Sequence, residues 1–544
     1  MFSQTHYKNY DNLFRKDAFL LGLTRRLLPQ ETYLLAAPQL ENLGDAIVSQ
    51  LMELGNRADK NPPFLENCDV FGHRIDKLHL SHEWQRIKKF AQQNRLVGIG
   101  YDKRFRHGRR IVQSAMQLMF SAYSSNLSCP LAMTDGAIKV LNEYAPKSLK
   151  EQVLQELLGK EESAAFCGQW MTERSGGSDL KKIETHATLA RKESDQEIYR
   201  LYGLKWFCSA IDNEYALVLA QIPNEGPSLF LLKVWQNEQL MEGIKIERLK
   251  NKLGTKALPT AEVRLEGATA TLIGIKGRGI FCASGILNIT RYYNALASAS
   301  IINRAFFSCL AYAKIRHSFG KAIIDHPFHL KTLAHIDAQR TGAVALCFEI
   351  ARLLGSIEEG TSSEKDGPLL RVLIPIAKII LAKWAIYATS EAMEAVGGIG
   401  YLEDTEFPQL LRDAQVLPIW EGTTNILIHD LLRAQRKEGA LTILLKELCE
   451  RANNLMIDET DACRILKSRL QLISEKVMNA IHKSEDDSSL YLESFARKAV
   501  FTIGTCTAAL LLAESKPFIT QADSFASTRF TTFVENNLCG HFSM

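Results

Sequence analysis

The strongest candidate for acid–base chemistry lies in the segment IWEGTTNILIHDLLRA (419–434). Glu421 precedes Gly422 and stands beside Trp420 at the predicted start of a helix. A carboxylate in an apolar pocket has a raised pKa and can act as a general base. Helix capping by Glu421 or Thr423 explains the same pattern, because acidic and hydroxyl side chains favour helix starts. Both interpretations remain open from these residues alone.

A second candidate is QWMTERSGGSDLKK (169–182), where a predicted strand runs into a loop. The loop combines two hydroxyl residues, Thr172 and Ser178, with Gly176 and Gly177. Backbone N–H groups and hydroxyls exposed at close range could hold the polar edge of a planar cofactor or a phosphate. Gly-Gly-Ser-Asp is also ordinary turn chemistry, so this segment also has two interpretations.

Three further segments are compatible with a nucleotide cofactor. KWFCSA (205–210) places two aromatic rings and a hydroxyl at a strand end, as core residues or as a stacking surface for a flavin. KIRHSFGKAI (314–323) presents Arg316, which is either solvated or able to bind a pyrophosphate. EAMEAVGGIGY (391–401) ends a helix with glycines that either stop it or allow a nucleotide to approach closely.

Composition excludes several classes of protein. The 544 residues are 46% apolar and 23% charged with a net charge of +4, which is typical of a globular protein and does not by itself imply a nucleic-acid partner. The eleven cysteines are scattered without a CxxC pair, and the histidines match no metal-binding spacing, so we expect no disulfide framework and no metal site. We expect no membrane span and no secretory signal, and hence a cytoplasmic protein.

The elements that must position these segments change in character along the chain. Residues 1–163 are predicted to be mostly helical, and residues 164–277 to form an antiparallel β domain of short apolar strands separated by turns. Helical periodicity returns over 278–438, and 439–544 form a further helical block. The predicted fold class is therefore α+β with four domains.

Taken together, these segments resemble the acyl-CoA dehydrogenase family over residues 60–436. The resemblance is carried by MTERSGGSDL, WFCSA, RHSFGKAI, EAMEAVGGIGY, LLRDAQ and IWEGTTNI. The Asn61-Pro62-Pro63 turn, the VGGIGY ending and the extra C-terminal helices are similar to the AidB-like, alkylation-response branch. The resemblance implies a helical N-terminal domain, a central β domain and a helical bundle that together hold FAD.

The resemblance also implies roles for individual residues. Glu421 matches the catalytic base that removes the α-proton of an acyl thioester, and Ser178 and Arg291 match the substrate region. The implied cofactor-binding residues are Met171, Thr172, Gly177, Ser178, Phe207, Ser209, Arg316, Phe319, Gly397, Gly398, Thr423 and Asn425. Arg316 and Phe319 match positions that reach the FAD of a neighbouring subunit, which implies a homotetramer.

Two functions follow from this resemblance. The first is an FAD enzyme that oxidises an acyl-CoA or related thioester; the sequence indicates neither the acyl chain nor the electron-transfer partner. The second is a flavin-containing DNA-binding protein of the alkylation response, with weak or no dehydrogenase turnover. Residues 440–544 carry 11 basic and 13 acidic residues, a balance that does not favour phosphate binding. Residues 74–110 are locally basic and are another possible contact for DNA. A flavin-binding protein whose chemistry has decayed is a third possibility.

Overall fold

The chain forms two compact units, each assembled from segments distant in sequence. One unit contains residues 1–49, 103–122 and 294–544, and the other contains residues 50–102 and 123–293. The structure, a computed structural model, describes residues 12–159, 164–455, 460–486, 490–516, 525 and 528–539. The four sequence domains remain a prediction, and below we call the two compact units the helical unit and the sheet unit.

The helices and strands have the following bounds. The α-helices are α1 (Leu13–Lys16), α2 (Ala18–Leu27), α3 (Gln30–Ala46), α4 (Met52–Lys60), α5 (His82–Gln93), α6 (Arg109–Phe120), α7 (Ser128–Tyr144), α8 (Lys147–Leu157), α9 (Gly279–Ile315), α10 (Pro327–Glu358), α11 (Asp366–Ala395), α12 (Phe407–Ala414), α13 (Thr424–Glu438), α14 (Ala440–Asn453), α15 (Asp461–Asp486), α16 (Leu490–Ser515) and α17 (Arg529–Val534). The strands are β1 (Phe64–Cys68), β2 (Arg74–His79), β3 (Cys167–Trp170), β4 (His186–Glu193), β5 (Gln196–Ser209), β6 (Tyr215–Ile222), β7 (Gly226–Lys233), β8 (Trp235–Gln236), β9 (Gln239–Leu240), β10 (Ile244–Leu249), β11 (Thr260–Ile273), β12 (His317–Ser318) and β13 (Lys321–Ala322).

The sheet unit is built around a seven-stranded sheet. Its strand order is β10-β11-β5-β4-β6-β3, and β7 pairs with both β11 and β6. Most neighbours are antiparallel, but β3 and β4 pair parallel with β6, so the sheet is mixed and not purely antiparallel as the sequence predicted. The cause is topological: β4 and β5 form an antiparallel pair, and the next strand then runs in the direction of β4 again. β6 is buried along nearly its whole length, which places both of its faces in the core.

A β-hairpin lies in the N-terminal region that the sequence predicts as helix and loop. β1 and β2 pair antiparallel where the sequence analysis expects a helix-breaking turn. Gly72 turns the chain between them with φ of +83°, a conformation that glycine adopts without steric cost. The Pro62-Pro63 pair therefore separates a helix from a hairpin.

The helical unit is organised around α11. This helix packs against α10, α12, α13, α14 and α16, so the C-terminal helices belong to the same compact unit as the bundle. Most of the side chains of α11 are buried. A helix with this much buried surface is stable because other elements surround it.

Among the described residues, two helices are long and apolar enough to cross a membrane. They are α9 and the segment Glu493–Ser515 of α16. The apolar windows of these helices are 78% and 72% buried within the fold. This burial is typical of core helices, which pass the same test of length and composition.

Candidate active site

In the sheet unit, the loop after β3 is held against β5 through its backbone. The amide of Trp206 donates a hydrogen bond to the carbonyl oxygen of Thr172, 2.9 Å away. A Cβ atom at position 177 would lie 2.7 Å from Oγ1 of Thr172, so only glycine fits beside that hydroxyl. Met171 is buried, Thr172 is half-buried, and Ser178 is exposed at the far side of the turn. Gly177 therefore brings the loop backbone close to the Thr172 hydroxyl.

The end of β5 presents an aromatic ring to the outside of the sheet unit. Phe207 is 52% exposed, whereas its neighbour Cys208 is fully buried, as expected when successive side chains face opposite sides of a strand. Ser209 is half-buried, with its Oγ 3.4 Å from Oγ1 of Thr260. The exposure of Phe207 disfavours a core role and leaves part of its ring accessible for stacking, with the Lys250 ammonium 4.7 Å from the ring centre.

Trp206, the residue before Phe207, is surrounded by cations. The Lys250 ammonium lies 3.3 Å from the centre of its ring, and the Arg174 guanidinium lies 5.5 Å from it. These distances are within the range of cation–π attraction. Arg174 therefore packs on the strand that carries Phe207.

A buried ion pair links the Thr172 loop to β5. The Lys205 ammonium lies 2.6 Å from Oε1 of Glu173, and the two side chains are 0% and 3% exposed. Burial raises the pKa of the Glu173 carboxyl, but the charge and hydrogen bond of Lys205 outweigh this, and the pKa lies below its ordinary value. The sequence analysis did not predict this pair. The only indication in the sequence is that Glu173 follows Thr172 and that Lys205 lies in the same segment as Phe207.

The predicted substrate residue Arg291 lies on α9 in the sheet unit and is buried. On the same helix, the hydroxyl of Tyr293 donates to Oδ2 of the buried Asp135 at 2.8 Å. The hydroxyl of Tyr101 donates to the other oxygen of this carboxylate at 2.6 Å. This part of α9 is therefore polar within the interior of its unit.

In the helical unit, Glu421 occupies a sharp turn between α12 and α13. Its φ is +58° and that of Gly422 is +99°, so two consecutive residues are left-handed. Such a conformation is uncommon for a non-glycine residue and marks strained or functional sites. Glu421 is half-buried. Thr423 is the N-cap residue of α13, but within the described structure its side chain makes no capping hydrogen bond, so the Thr423 hydroxyl does not cap this helix.

A buried lysine anchors the turn that carries Glu421. Lys378 lies on α11, is fully buried, and donates a hydrogen bond from Nζ to the carbonyl oxygen of Gly422 at 2.6 Å. A hydrogen bond from a charged donor is stronger than one between neutral groups. Lys378 therefore holds the peptide that follows the candidate base, a function that the sequence gave no reason to expect.

Asn425, in the first turn of α13, is bound by a residue of the C-terminal helices. Nη1 of Arg497 on α16 donates to Oδ1 of Asn425 at 3.0 Å, and both side chains are exposed. Arg497 also stacks on Phe501 of its own helix. The sequence analysis places Asn425 at the cofactor and missed Arg497, because nothing in a single helix shows which distant side chain will face it.

The remaining predicted cofactor residues of the helical unit lie at its surface. Arg316 is exposed where α9 ends, and Phe319 is 96% exposed at φ +51° in the β12–β13 turn. Gly397 and Gly398 are exposed in the 3₁₀ turn after α11, and a Cβ atom at either position would meet no atom within 4 Å. These positions therefore offer open surface, as the sequence requires for a ligand or a neighbouring chain.

A carboxyl group with a shifted pKa lies six residues before Gly397. Burial raises the pKa of Glu391, and the nearby Glu394 raises it further. Both residues lie on the last turn of α11.

The described part of the chain shows no metal site. No group of three or more His, Cys, Asp and Glu side chains within it is arranged to hold an ion. The eleven cysteines are free thiols.

Comparison with known proteins identifies the family. The middle-domain model of acyl-CoA dehydrogenases matches residues 168–268, and the C-terminal-domain model matches residues 277–435. The model of the N-terminal domain of the adaptive response protein AidB matches residues 3–163. Acyl-CoA dehydrogenase family member 11 of Caenorhabditis elegans is 39% identical over 94% of this chain and 85% of its own length. The chain belongs to the acyl-CoA dehydrogenase family.

Other relatives agree with this assignment. The putative acyl-CoA dehydrogenase AidB of Escherichia coli is 31% identical over 82% of each chain. The crystal structure of C. elegans ACDH-11 in complex with C11-CoA has a TM-score of 0.89 at 37% identity, covering 99% of this chain and 93% of that one. The Bd2924 apo-form has a TM-score of 0.85 at 38% identity, covering 93% and 98%. These findings confirm the predicted fold class and the AidB-like branch.

The protein is a dehydrogenase-type flavoenzyme of a family that depends on FAD. The residues present fit this cofactor in each unit taken by itself. In the sheet unit, the backbone of Gly177 lies close to the Thr172 hydroxyl, where a side chain would not fit, and the ring of Phe207 is exposed. In the helical unit, Gly397 and Gly398 leave open surface. When bound, FAD supplies the acceptor for a hydride.

Proposed function

We propose that this protein oxidises an acyl thioester to its 2,3-enoyl form, with Glu421 removing the α-proton as the β-hydride leaves for FAD. The observation that carries the proposal is the turn at Glu421, which is left-handed, half-buried and anchored through Gly422 to the buried Lys378. An α-proton beside a thioester is only weakly acidic, so its base must be close and held in place. The C11-CoA bound to ACDH-11 supports a thioester of coenzyme A as substrate.

Each residue of the proposed mechanism has a defined task. Glu421 accepts the proton on its carboxylate, and its backbone N–H is suited to donate to the thioester oxygen, where negative charge develops. Thr172, Ser209 and Phe207 are proposed to bind the flavin ring, and Arg291 and Ser178 to bind the thioester. In the helical unit, the proposed cofactor contacts are Thr423, Asn425, Gly397 and Gly398.

The deciding experiment is anaerobic bleaching of the flavin by a panel of acyl-CoAs. The wild-type protein should lose its flavin absorbance with at least one of them, and Glu421→Gln should retain FAD but not bleach. Glu438→Gln, an exposed glutamate at the end of α13, is the matched control and should bleach normally. Bleaching of Glu421→Gln at the wild-type rate would contradict the role of Glu421 as the base.

We also propose that the protein is a homotetramer in which Arg316 and Phe319 reach a neighbouring subunit. The support is the exposure of Phe319 and of Phe328, which are 96% and 91% accessible in the single chain. Large aromatic side chains left this exposed are typical of surfaces that bind another protein. Light scattering of the purified protein should give a mass of four chains, and a monomer would contradict the proposal.

The DNA-binding alternative remains a prediction of the sequence. Two basic side chains of the C-terminal block are committed within the helical unit: Arg451 binds Glu349 and Glu514, and Arg529 binds Asp337. These contacts reduce the charge available for phosphates. Duplex affinity measured against salt tests this function, because phosphate contacts require a steep loss of affinity as salt rises.

A further inference from the structure

An acidic and a basic side chain lie buried beside the proposed flavin contacts, and neither has a role in the proposed mechanism. Glu173 directly follows Thr172, and Lys205 lies two positions before Phe207 and four before Ser209. Their side chains meet in the interior of the sheet unit, with 2.6 Å between Nζ and Oε1. The pair therefore joins the two segments that are proposed to contact the flavin ring.

The hydrogen bonds of this pair extend to three further backbone positions. Besides Glu173, the Lys205 ammonium binds the carbonyl oxygen of Leu219 on β6 at 2.7 Å. The Glu173 carboxylate accepts from the amide of Thr185 at 3.2 Å and from the amide of Glu184. The two side chains thus connect both ends of the loop 171–185 with β5 and β6.

Stability alone gives little reason for such a pair. Removing two charges from water costs several kcal/mol per ion, and well-packed apolar residues of similar size are often at least as stabilising. What an ion pair with several hydrogen bonds adds is a defined geometry, since both partners must meet in one arrangement. The amide of Trp206 already donates to the carbonyl of Thr172, and the pair adds further contacts to the same loop through the Glu173 carboxylate.

We propose that Glu173 and Lys205 are positioning residues, which hold the Thr172 loop at the distance from Phe207 and Ser209 that the flavin ring requires. This inference rests on the flavin contacts of the proposed function. The two are measured differently. The pair is expected to affect the affinity and environment of FAD, whereas the proposed function is measured by the proton transfer at Glu421.

The test compares single and double variants of the full-length protein. Lys205→Met and Glu173→Gln each leave one buried partner without its counterpart, and both should lower the free energy of unfolding. The double variant Glu173→Gln/Lys205→Met removes both charges and should recover much of that loss. The decisive readout is FAD binding in the absence of any thioester, measured by flavin fluorescence and absorption.

We expect the double variant to bind FAD about tenfold more weakly, by analogy with the roughly 10- to 100-fold loss when residues behind metal ligands are changed, and to show a shifted flavin absorption band. A stable double variant with wild-type FAD affinity and spectrum would show that the pair is only structural, and would overturn the proposal. Lys205→Arg, which keeps the charge, should retain more affinity than Lys205→Met.

Hydrogen exchange on the wild-type chain keeps the proposal testable if no variant folds. The amides of Glu184 and Thr185, which donate to the Glu173 carboxylate, should already be protected when FAD has been removed, because the pair would organise this part of the loop in advance. Rapid exchange there without FAD would overturn the proposal. A failure of the proposed function has a different signature: FAD binds normally to the wild type, but no thioester bleaches it.

Discussion

The sheet unit and the helical unit each use a buried lysine beside the candidate chemistry, but they use it differently. Lys205 binds the side chain of Glu173 and so anchors a loop through a side chain that a substitution can remove. Lys378 donates to the carbonyl oxygen of Gly422 and so anchors the backbone itself. The loop that carries Thr172 is held through one side chain, that of Glu173. The position of the proposed base, Glu421, depends instead on the backbone of the next residue, to which Lys378 binds.

The largest effect on this comparison is expected from Lys205→Met. Removing one partner of a buried pair leaves an uncompensated charge, and we expect the free energy of unfolding to fall by about 3–5 kcal/mol. Denaturant unfolding measures this. Lys192→Met is the matched control, because Lys192 pairs with Glu197 at the surface, near the end of β4 in the same sheet, where a pair contributes at most about 1 kcal/mol. Equal losses of unfolding free energy in Lys205→Met and Lys192→Met would show that burial does not make the Glu173–Lys205 pair more important than a surface pair.

The second effect is expected from Lys378→Met. It removes a charged donor from the Gly422 carbonyl, which we expect to cost about 1.5–3 kcal/mol of stability. The turn at Glu421 should also become less well ordered, so the rate of flavin bleaching by an active acyl-CoA should fall while FAD affinity stays near that of wild type. Lys383→Met, a half-buried lysine on the same helix, is the control. Lost FAD affinity with an unchanged rate of bleaching would reverse the roles of the two lysines.

The third prediction concerns pH and separates the two anchors by their chemistry. The pKa of Glu173 lies below its ordinary value of 4.5, so its contribution to stability is complete above about pH 4.5 and is lost as the pH falls through the lowered pKa. The difference in unfolding free energy between wild type and Glu173→Gln should therefore shrink as the medium is acidified below that pH. A difference that stays constant down to pH 2 would show that the carboxylate is not the stabilising form.

The smallest effect is expected at Arg497→Ala, which removes the exposed hydrogen bond to Asn425. Exposed contacts of this kind change stability by about 0.5 kcal/mol or less. Thermal unfolding should barely shift, and FAD affinity should fall less than in the Glu173→Gln/Lys205→Met variant. A larger loss of FAD at Arg497→Ala would show that the surface contact positions α13 more strongly than burial suggests.

The sequence predicted the architecture well because periodicity and breakers carry that information locally. Helical periodicity was expected over 278–438, and the structure places α9, α10, α11 and α13 within this range. The β1–β2 hairpin was missed because its short strands alternate without a strong apolar face. The parallel pairing of β3 with β6 was missed because strand direction depends on topology and not on composition.

The candidate site was predicted in part. The motifs identified Glu421, Thr172, Phe207 and Ser209 by type and spacing, and the structure adds the exposure of Phe207 and the left-handed turn at Glu421. The roles of these residues remain predictions. The residues behind them, Lys205, Lys378 and Arg497, were missed, since each acts across more than thirty positions of sequence on a group that no local pattern names.

By itself the sequence determined the class of fold, the family and the residue types that chemistry needs, because apolar periodicity and short motifs are properties of neighbouring residues. Only the tertiary structure decided that Glu173 and Lys205 meet, that a lysine of α11 holds the peptide after Glu421, and which side chains are left exposed. The physical reason is that burial and pairing of charge depend on elements brought together from distant parts of the chain, where the loss of water makes each contact specific.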